Sequence, residues 1–276
     1  MSVDLTVDGQ AFEPGQSIAC RVDVGGGGDD KLRALRVELA YKNTYYHRTR
    51  DMDDDGTDET RTSDNVVIAT EKVPADDPSM SGDSGSFQFT LTIPEDVPPS
   101  APKWVDWSVA AILDRRRARD RRESVPITIL AREGGYAMWA SSPQVCQEDN
   151  CDMQLDVSSR TARSGETLSG VLRVEPRRDF ECRSVYVALE GRMRHEDNIV
   201  RDHGGAKVAL SDRPSFSPGV PQDFPFQIAV PGDALPSLHA AHNQMRWHLK
   251  GICDRKLRGD NTVSVEIVVH DQGQAA

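Results

Sequence analysis

The chain has 276 residues, a mean hydropathy of −0.54 and a formal net charge of −11. No apolar run approaches the roughly 18 residues of a membrane-spanning helix, and a negative field of this size opposes general binding to nucleic acid. The length suits two domains of ordinary size, each with its own core.

The first residues, MSVDLTVDG, alternate polar and apolar as a strand does, with no basic region and no apolar signal core, so a cytoplasmic protein is expected. Pro14-Gly15 makes a turn, SIACRVDV alternates again, Gly25 to Gly28 breaks the pattern, and LRALRVELAY resumes it. A polar stretch from Thr44 to Ser63 then separates two strands, with an acidic cluster at its tip. After NVVIATEKV and the loop ADDPSMSGDSGS come FQFTLTIP, a Pro-Pro-Ser turn, WVDWSVAAIL, the basic tip DRRRARDRRE and SVPITIL. Strand patterns separated by Gly, Pro and Asp turns, without a convincing helical period, predict an all-β protein built from antiparallel sandwiches. The first domain is expected over residues 1–132, a linker over 133–152, a second domain over 153–270 and a disordered tail over 271–276. Within the second domain, His195 to Pro221 is expected as a long connection.

The second domain repeats the first. Phe87 to Arg116 returns as Phe224 to Arg255: a strand ending in proline (Pro94, Pro231), a Pro-Ser turn (Pro99-Ser100, Pro236-Ser237), then a strand centred on tryptophan (Trp107, Trp247) that runs into Asp-Arg. The offset is 137 at the prolines and 140 at the tryptophans, so the second copy carries three extra residues in its loop. Upstream, Pro14-Gly15-Gln16 matches Ser164-Gly165-Glu166, and Leu35 to Leu39 matches Val185 to Leu189, both at an offset of 150. A unit this long exceeds a solenoid repeat of roughly 20 to 50 residues, which leaves two homologous domains in tandem.

This doubled order of early turn, proline-ended strand, Pro-Ser turn and aromatic-centred strand resembles the arrestin superfamily, with an amino-type domain followed by a carboxy-type domain over nearly the whole chain. Among arrestin-like groups it is similar to the compact bacterial sporulation-control proteins and to the cargo-binding retromer subunit. The resemblance implies two tandem immunoglobulin-like sandwiches acting as a non-enzymatic scaffold or adaptor, which binds protein partners through loops and concave sheet faces. A structural subunit of a larger assembly is the alternative, and self-association is compatible with either. Membrane contact, if there is any, is expected to be only peripheral, since no apolar run is long enough to span. This chain carries Trp107 and Trp247 where the family commonly has tyrosine, and no phosphate-sensing lysine pair is identifiable.

Several stretches offer chemistry. Gly82-Asp83-Ser84-Gly85 copies a serine-protease nucleophile motif, but the only upstream histidine is His47, and a polar loop feeding a strand explains the same letters better than hydrolysis through Ser84. His239, His242 and His248 lie close in sequence, and the first two would meet on a helical turn to hold a metal, although exposed loop histidines are the preferred reading. Cys20, Cys182 and Cys253 fall in strand patterns and are expected as buried thiols; Cys146 and Cys151 form the only close pair and are expected as solvent-near thiols in the linker. Asp51, Asp53, Asp55 and Glu59 occupy positions 1, 3, 5 and 9 of a calcium loop, with Gly56 at the turn and Thr62 where a bidentate glutamate belongs. A solvated acidic hairpin tip is the preferred reading, and weakly bound calcium the only cofactor the sequence suggests. The basic tip Arg115 to Arg122 is expected as a solvated turn, with an acidic partner or membrane surface as its alternative role.

Overall fold

In the computed structural model the described residues are 2–26, 32–50, 57–74, 85–115, 119–131, 145–147, 150–256 and 259–270. They are all-β: the one helical element among them is a 3-10 turn at Glu196–Asn198, and no helix is long and apolar enough to cross a membrane. The chain divides into two compact units, Met1–Ala131 with Ala240–Asn243, and Arg132–His239 with Gln244–Ala276.

Unit 1 contains β1 (Ser2–Val7), β2 (Ala11–Phe12), β3 (Ser17–Gly25), β4 (Leu32–Arg50), β5 (Thr57–Pro74), β6 (Gly85–Thr92), β7 (Val105–Arg115) and β8 (Arg121–Ile129). One sheet has the order β1-β3-β6 and the other β2-β8-β7-β4-β5. They face each other as a sandwich, β1 against β7 and β8 and β6 against β5. Strict alternation builds the core: on β3, Ile18, Cys20 and Val22 are buried while Ser17, Ala19 and Arg21 are exposed. On the central strand β7 the alternation gives way to unbroken burial from Val109 to Leu113. The reason lies on the outer face, where Glu38 bridges Arg36 at 3.2 Å and Arg122 at 3.5 Å. The stems of those arginines shield Ala110 and Ile112, the registered partners of Glu38 and Arg36.

Unit 2 contains β9 (Val145–Gln147), β10 (Cys151–Val157), β11 (Thr161–Arg163), β12 (Thr167–Pro176), β13 (Phe180–Glu181), β14 (Ser184–Arg194), β15 (Val200–Asp212), β16 (Ser215–Phe216), β17 (Gln222–Ala229), β18 (Leu238–His239), β19 (Gln244–Asp254) and β20 (Asn261–His270). Its sheets run β17-β12-β10-β9 and β11-β20-β19-β14-β15, with β18 added to β19 and a small β13-β16 pair.

The hydrogen bonds show what the repeated letters do. Gly15 and Gly165 adopt φ of 88° and 81°, a left-handed turn that glycine makes without strain, and each donates to the carbonyl before a strand-ending proline, Ile93 at 2.9 Å and Val230 at 3.1 Å. The serine of each Pro-Ser turn clamps the last strand of its unit. Ser100 Oγ accepts from the Ile129 N–H at 2.9 Å and Ser237 Oγ from the Val269 N–H at 3.0 Å. Each tryptophan is buried and donates its Nε1–H back across the loop, Trp107 to the Pro98 carbonyl at 3.1 Å and Trp247 to the Leu235 carbonyl at 2.9 Å. Pro98 and Leu235 are 137 residues apart and the tryptophans 140, so the three extra residues fall inside that loop.

Three expectations are corrected. The described parts of the polar stretch, 44–50 and 57–63, are strand: β4 and β5 pair from Arg50 and Thr57 inward, and the polar composition reflects a ribbon with little buried face. His195 to Pro221 likewise contains β15, a full edge strand on β14 whose register shifts beside Gly204 and Gly205 hid its period. The expected linker ends in strands, since β9 pairs with β10 inside residues 145–152. The sheets are antiparallel as expected, and two short strands, β2 and β11, join β8 and β20 in parallel at their edges.

Candidate binding surfaces

The sequence candidates are placed unevenly. Asp51, Asp53, Asp55 and Ser84 lie outside the described residues. Glu59 is on β5, exposed and in register with Arg48, and Thr62 pairs with Tyr45. The second half of the calcium-loop spacing is therefore extended strand. His47 stands on β4 opposite Thr60. The three C-terminal histidines share no helical turn: His239 is exposed on β18, His242 follows in a turn, and His248 is half-buried on β19 between Glu190 and Glu266 in register. Burial, with Lys250, Arg246 and Arg192 nearby, holds His248 below its ordinary range; burial does the same to His203. Cys151 is not solvent-near but wholly buried at the start of β10. Among the described residues no group of three or more His, Cys, Asp or Glu side chains is arranged to hold a metal ion.

Two surfaces stand out from the sandwich framework. The first is the ribbon of unit 1. Strand β4 pairs with β7 only as far as Asn43, and from Thr44 to Arg50 its partner is β5 alone. Seven residues of extended chain reach about 23 Å. The base of the ribbon is held by polar contacts: Asn43 is fully buried and donates Nδ2–H to the Trp104 carbonyl at 3.1 Å, Arg61 lies 5.3 Å from the Trp104 ring centroid, and the Tyr45 hydroxyl donates to Asp64 at 2.8 Å. His242, in the Ala240–Asn243 part of the same unit, stacks on Tyr45 at 4.2 Å with Nε2 3.3 Å from Asp64. Toward the tip the residues are Arg48, Thr49, Asp58 and Glu59, all exposed.

The second is a groove of about 800 Å³ across three strands of unit 2, lined by Asp156 to Ser158 on β10 and beyond it, Ser169 to Val171 on β12, and Pro225 to Gln227 on β17. Gly170 stands at its centre. A Cβ there would lie 2.2 Å from the Asp156 carbonyl oxygen and 2.6 Å from Phe226 Cζ, so the Phe226 ring packs where a side chain at that position would stand. Pro225 adds an apolar wall on edge strand β17, where its missing N–H is tolerated. Asp156 is fixed by Gln154 Nε2–H at 2.9 and 3.0 Å to its two oxygens, and Ser169 donates to Ser158 at 3.1 Å. The groove thus mixes an apolar floor with one carboxylate and two hydroxyls, a lining that suits a peptide segment. The first copy differs at these positions, with Cys20 and Gln88 in place of Gly170 and Pro225. Sequence reasoning missed this surface; a glycine in mid-strand where the copy has a side chain was the available sign.

No family model and no curated protein matches this chain.

Proposed function

We propose that the protein is a non-enzymatic, arrestin-like scaffold of the cytoplasm that holds a protein partner in the groove of unit 2. The observation that carries this reading is the groove of about 800 Å³ across β10, β12 and β17, with glycine at 170 under the Phe226 ring where the first copy has Cys20. The arrestin-like assignment is supported by the doubled turn-and-clamp skeleton, with its Pro-Ser clamp and tryptophan anchor in each unit. The ribbon of unit 1 provides a second partner-facing element, and Asp51, Asp53, Asp55 and Glu59 are the residues on which a weakly bound calcium ion would act.

The test is site-specific photocrosslinking in the native cell with a photoreactive residue at Val171. A defined adduct is expected, absent when the probe is at Ser264 on the other sheet of the unit and abolished by Gly170→Ala. Equal labelling from both sites would overturn the groove as the binding surface. Labelling of the wild type by a fluorophosphonate, lost in Ser84→Ala, would overturn the non-enzymatic reading.

A further inference from the structure

Three of the five cysteines gather where β10 and β20 begin and β19 ends. Cys151 and Cys253 are wholly buried and Cys182 is 4% exposed, and all three are reduced. Asn261, registered opposite Cys253, donates its Nδ2–H to Cys151 Sγ at 3.0 Å. The Arg183 N–H bonds to the Asp254 carbonyl at 2.7 Å and Val185 registers with Cys253, which brings Cys182 beside the end of β19, and the Cys253 thiol shares a hydrogen bond with Cys182. Arg255 is aimed by Asn261 Oδ1 at 2.9 Å and Asn150 Oδ1 at 3.2 Å, which leaves its charge near the Cys182 sulfur.

These thiols are not demanded by the fold. At offsets of 150, 150 and 140, the first copy places Met1, Leu32 and Leu113 where the second has Cys151, Cys182 and Cys253. The electrostatics also divide the pair. The hydrogen bond from Cys253, helped by Arg255 and opposed by burial, lowers the Cys182 thiol below its usual range, while the same bond and burial raise Cys253.

We propose that Cys182 and Cys253 form an oxidisable dithiol that a hydroperoxide closes to an intramolecular disulfide. The Cys182 thiolate attacks the peroxide and breaks its O–O bond, giving a sulfenic acid and releasing hydroxide, which takes up the proton Cys182 had lost. The Cys253 thiol then attacks the sulfenic sulfur and water leaves. Two thiols lose two electrons and two protons, and hydrogen peroxide becomes two waters. Cys182 is the attacked site because it carries the thiolate character and the little exposure there is; Cys253 is the resolving thiol already in contact with it.

The experiment treats the full chain with graded hydrogen peroxide, blocks remaining thiols with N-ethylmaleimide under denaturing conditions and maps the peptides by mass spectrometry. Two of the five cysteines are expected to escape labelling, joined as a Cys182–Cys253 bridge within one chain and released by dithiothreitol. Cys182→Ser is expected to abolish the bridge, whereas Cys151→Ser is expected to retain it. Full labelling of the wild type after oxidation, a bridge to another cysteine, or a link between chains would overturn the proposal, and these readings on the wild type do not depend on a variant folding.

Discussion

Replacing the clamp serines one at a time tests whether the two units share a hydrogen-bonded skeleton or merely a sequence pattern. Ser237 is 4% exposed, and its hydroxyl is the acceptor for the Val269 N–H on the last strand of unit 2. In Ser237→Ala that N–H loses its partner in a place water does not reach, a cost of about 1–3 kcal/mol. Ser100 makes the same bond to Ile129 in a half-buried setting. Water can replace its hydroxyl there, so Ser100→Ala is expected to cost only about 0.5–1.5 kcal/mol. At about 4 °C per kcal/mol for units of this size, the drops are about 4–12 °C in unit 2 and about 2–6 °C in unit 1. The backbone bonds from Ser100 N–H to Ile129 O and from Ser237 N–H to Val269 O survive both substitutions, so the strands stay in place and the comparison isolates the hydroxyl. Amide exchange assigns each loss to its site: the Val269 amide should lose protection in Ser237→Ala, and the Ile129 amide in Ser100→Ala. An equal or larger loss from Ser100→Ala, or an unchanged Val269 amide, would refute the reasoning.

Gly170→Ala is expected to destabilise unit 2 by about 1–3 kcal/mol, because the new methyl meets the backbone oxygen of Asp156 at 2.2 Å and only the strand can give way; a denaturant midpoint equal to wild type would contradict it. Trp247→Phe and Trp107→Phe each strand a carbonyl, of Leu235 and Pro98, and each should lower stability by about 1–3 kcal/mol, read by denaturant titration. His248 has a folded pKa below its ordinary 6.5. The unfolded chain therefore binds its proton first, and the stability this residue contributes is full above pH 6.5 and lost as pH falls through the folded value. Glu266, across from it, is raised above 4.5 by burial and acts with the opposite sign, losing its contribution as pH rises through the window above 4.5. A melting series from pH 7.5 to 5 should show a smaller acid-side drop in His248→Gln than in wild type, and a histidine titration by NMR should place His248 below 6.5.

The strands that bury one face were legible because alternation and burial are the same fact seen twice: SIACRVDV reads the core directly. The Pro-Ser and Gly turns were legible because special backbone and hydroxyl acceptors need particular letters. The outer half of the ribbon was not, since residues with no buried face carry no period, although Thr44, Thr49, Thr57, Thr60 and Thr62 offered a β-propensity clue. Strand β15 was obscured by Gly204-Gly205, which reads locally as a turn. The thiol group was invisible for a different reason. Residue 182 reaches 253 through the register of β14 on β19, and residue 151, on β10 of the other sheet, joins them only when the two sheets pack; register and sheet packing are long-range properties that no local pattern carries.

A duplicated fold supplies its own control, because whatever both copies keep is required by the sandwich and whatever one copy alone holds is free to serve something else. By that rule the clamps and tryptophans belong to stability, while the ribbon of unit 1 and the groove and thiols of unit 2 do not. The rule can be tested at the thiols. Returning Cys151, Cys182 and Cys253 to methionine, leucine and leucine installs the residues of the first copy at sites where Cys151 and Cys253 are wholly buried. Added volume in a packed core costs about 1–3 kcal/mol, and the exchange also removes the Cys253–Cys182 and Asn261–Cys151 hydrogen bonds. The triple variant should nevertheless fold, with an all-β circular dichroism spectrum, a cooperative melt and a midpoint unmoved by peroxide. A variant that fails to fold would mean that the three positions are not equivalent between the copies, and the shared skeleton would then end short of this corner of unit 2.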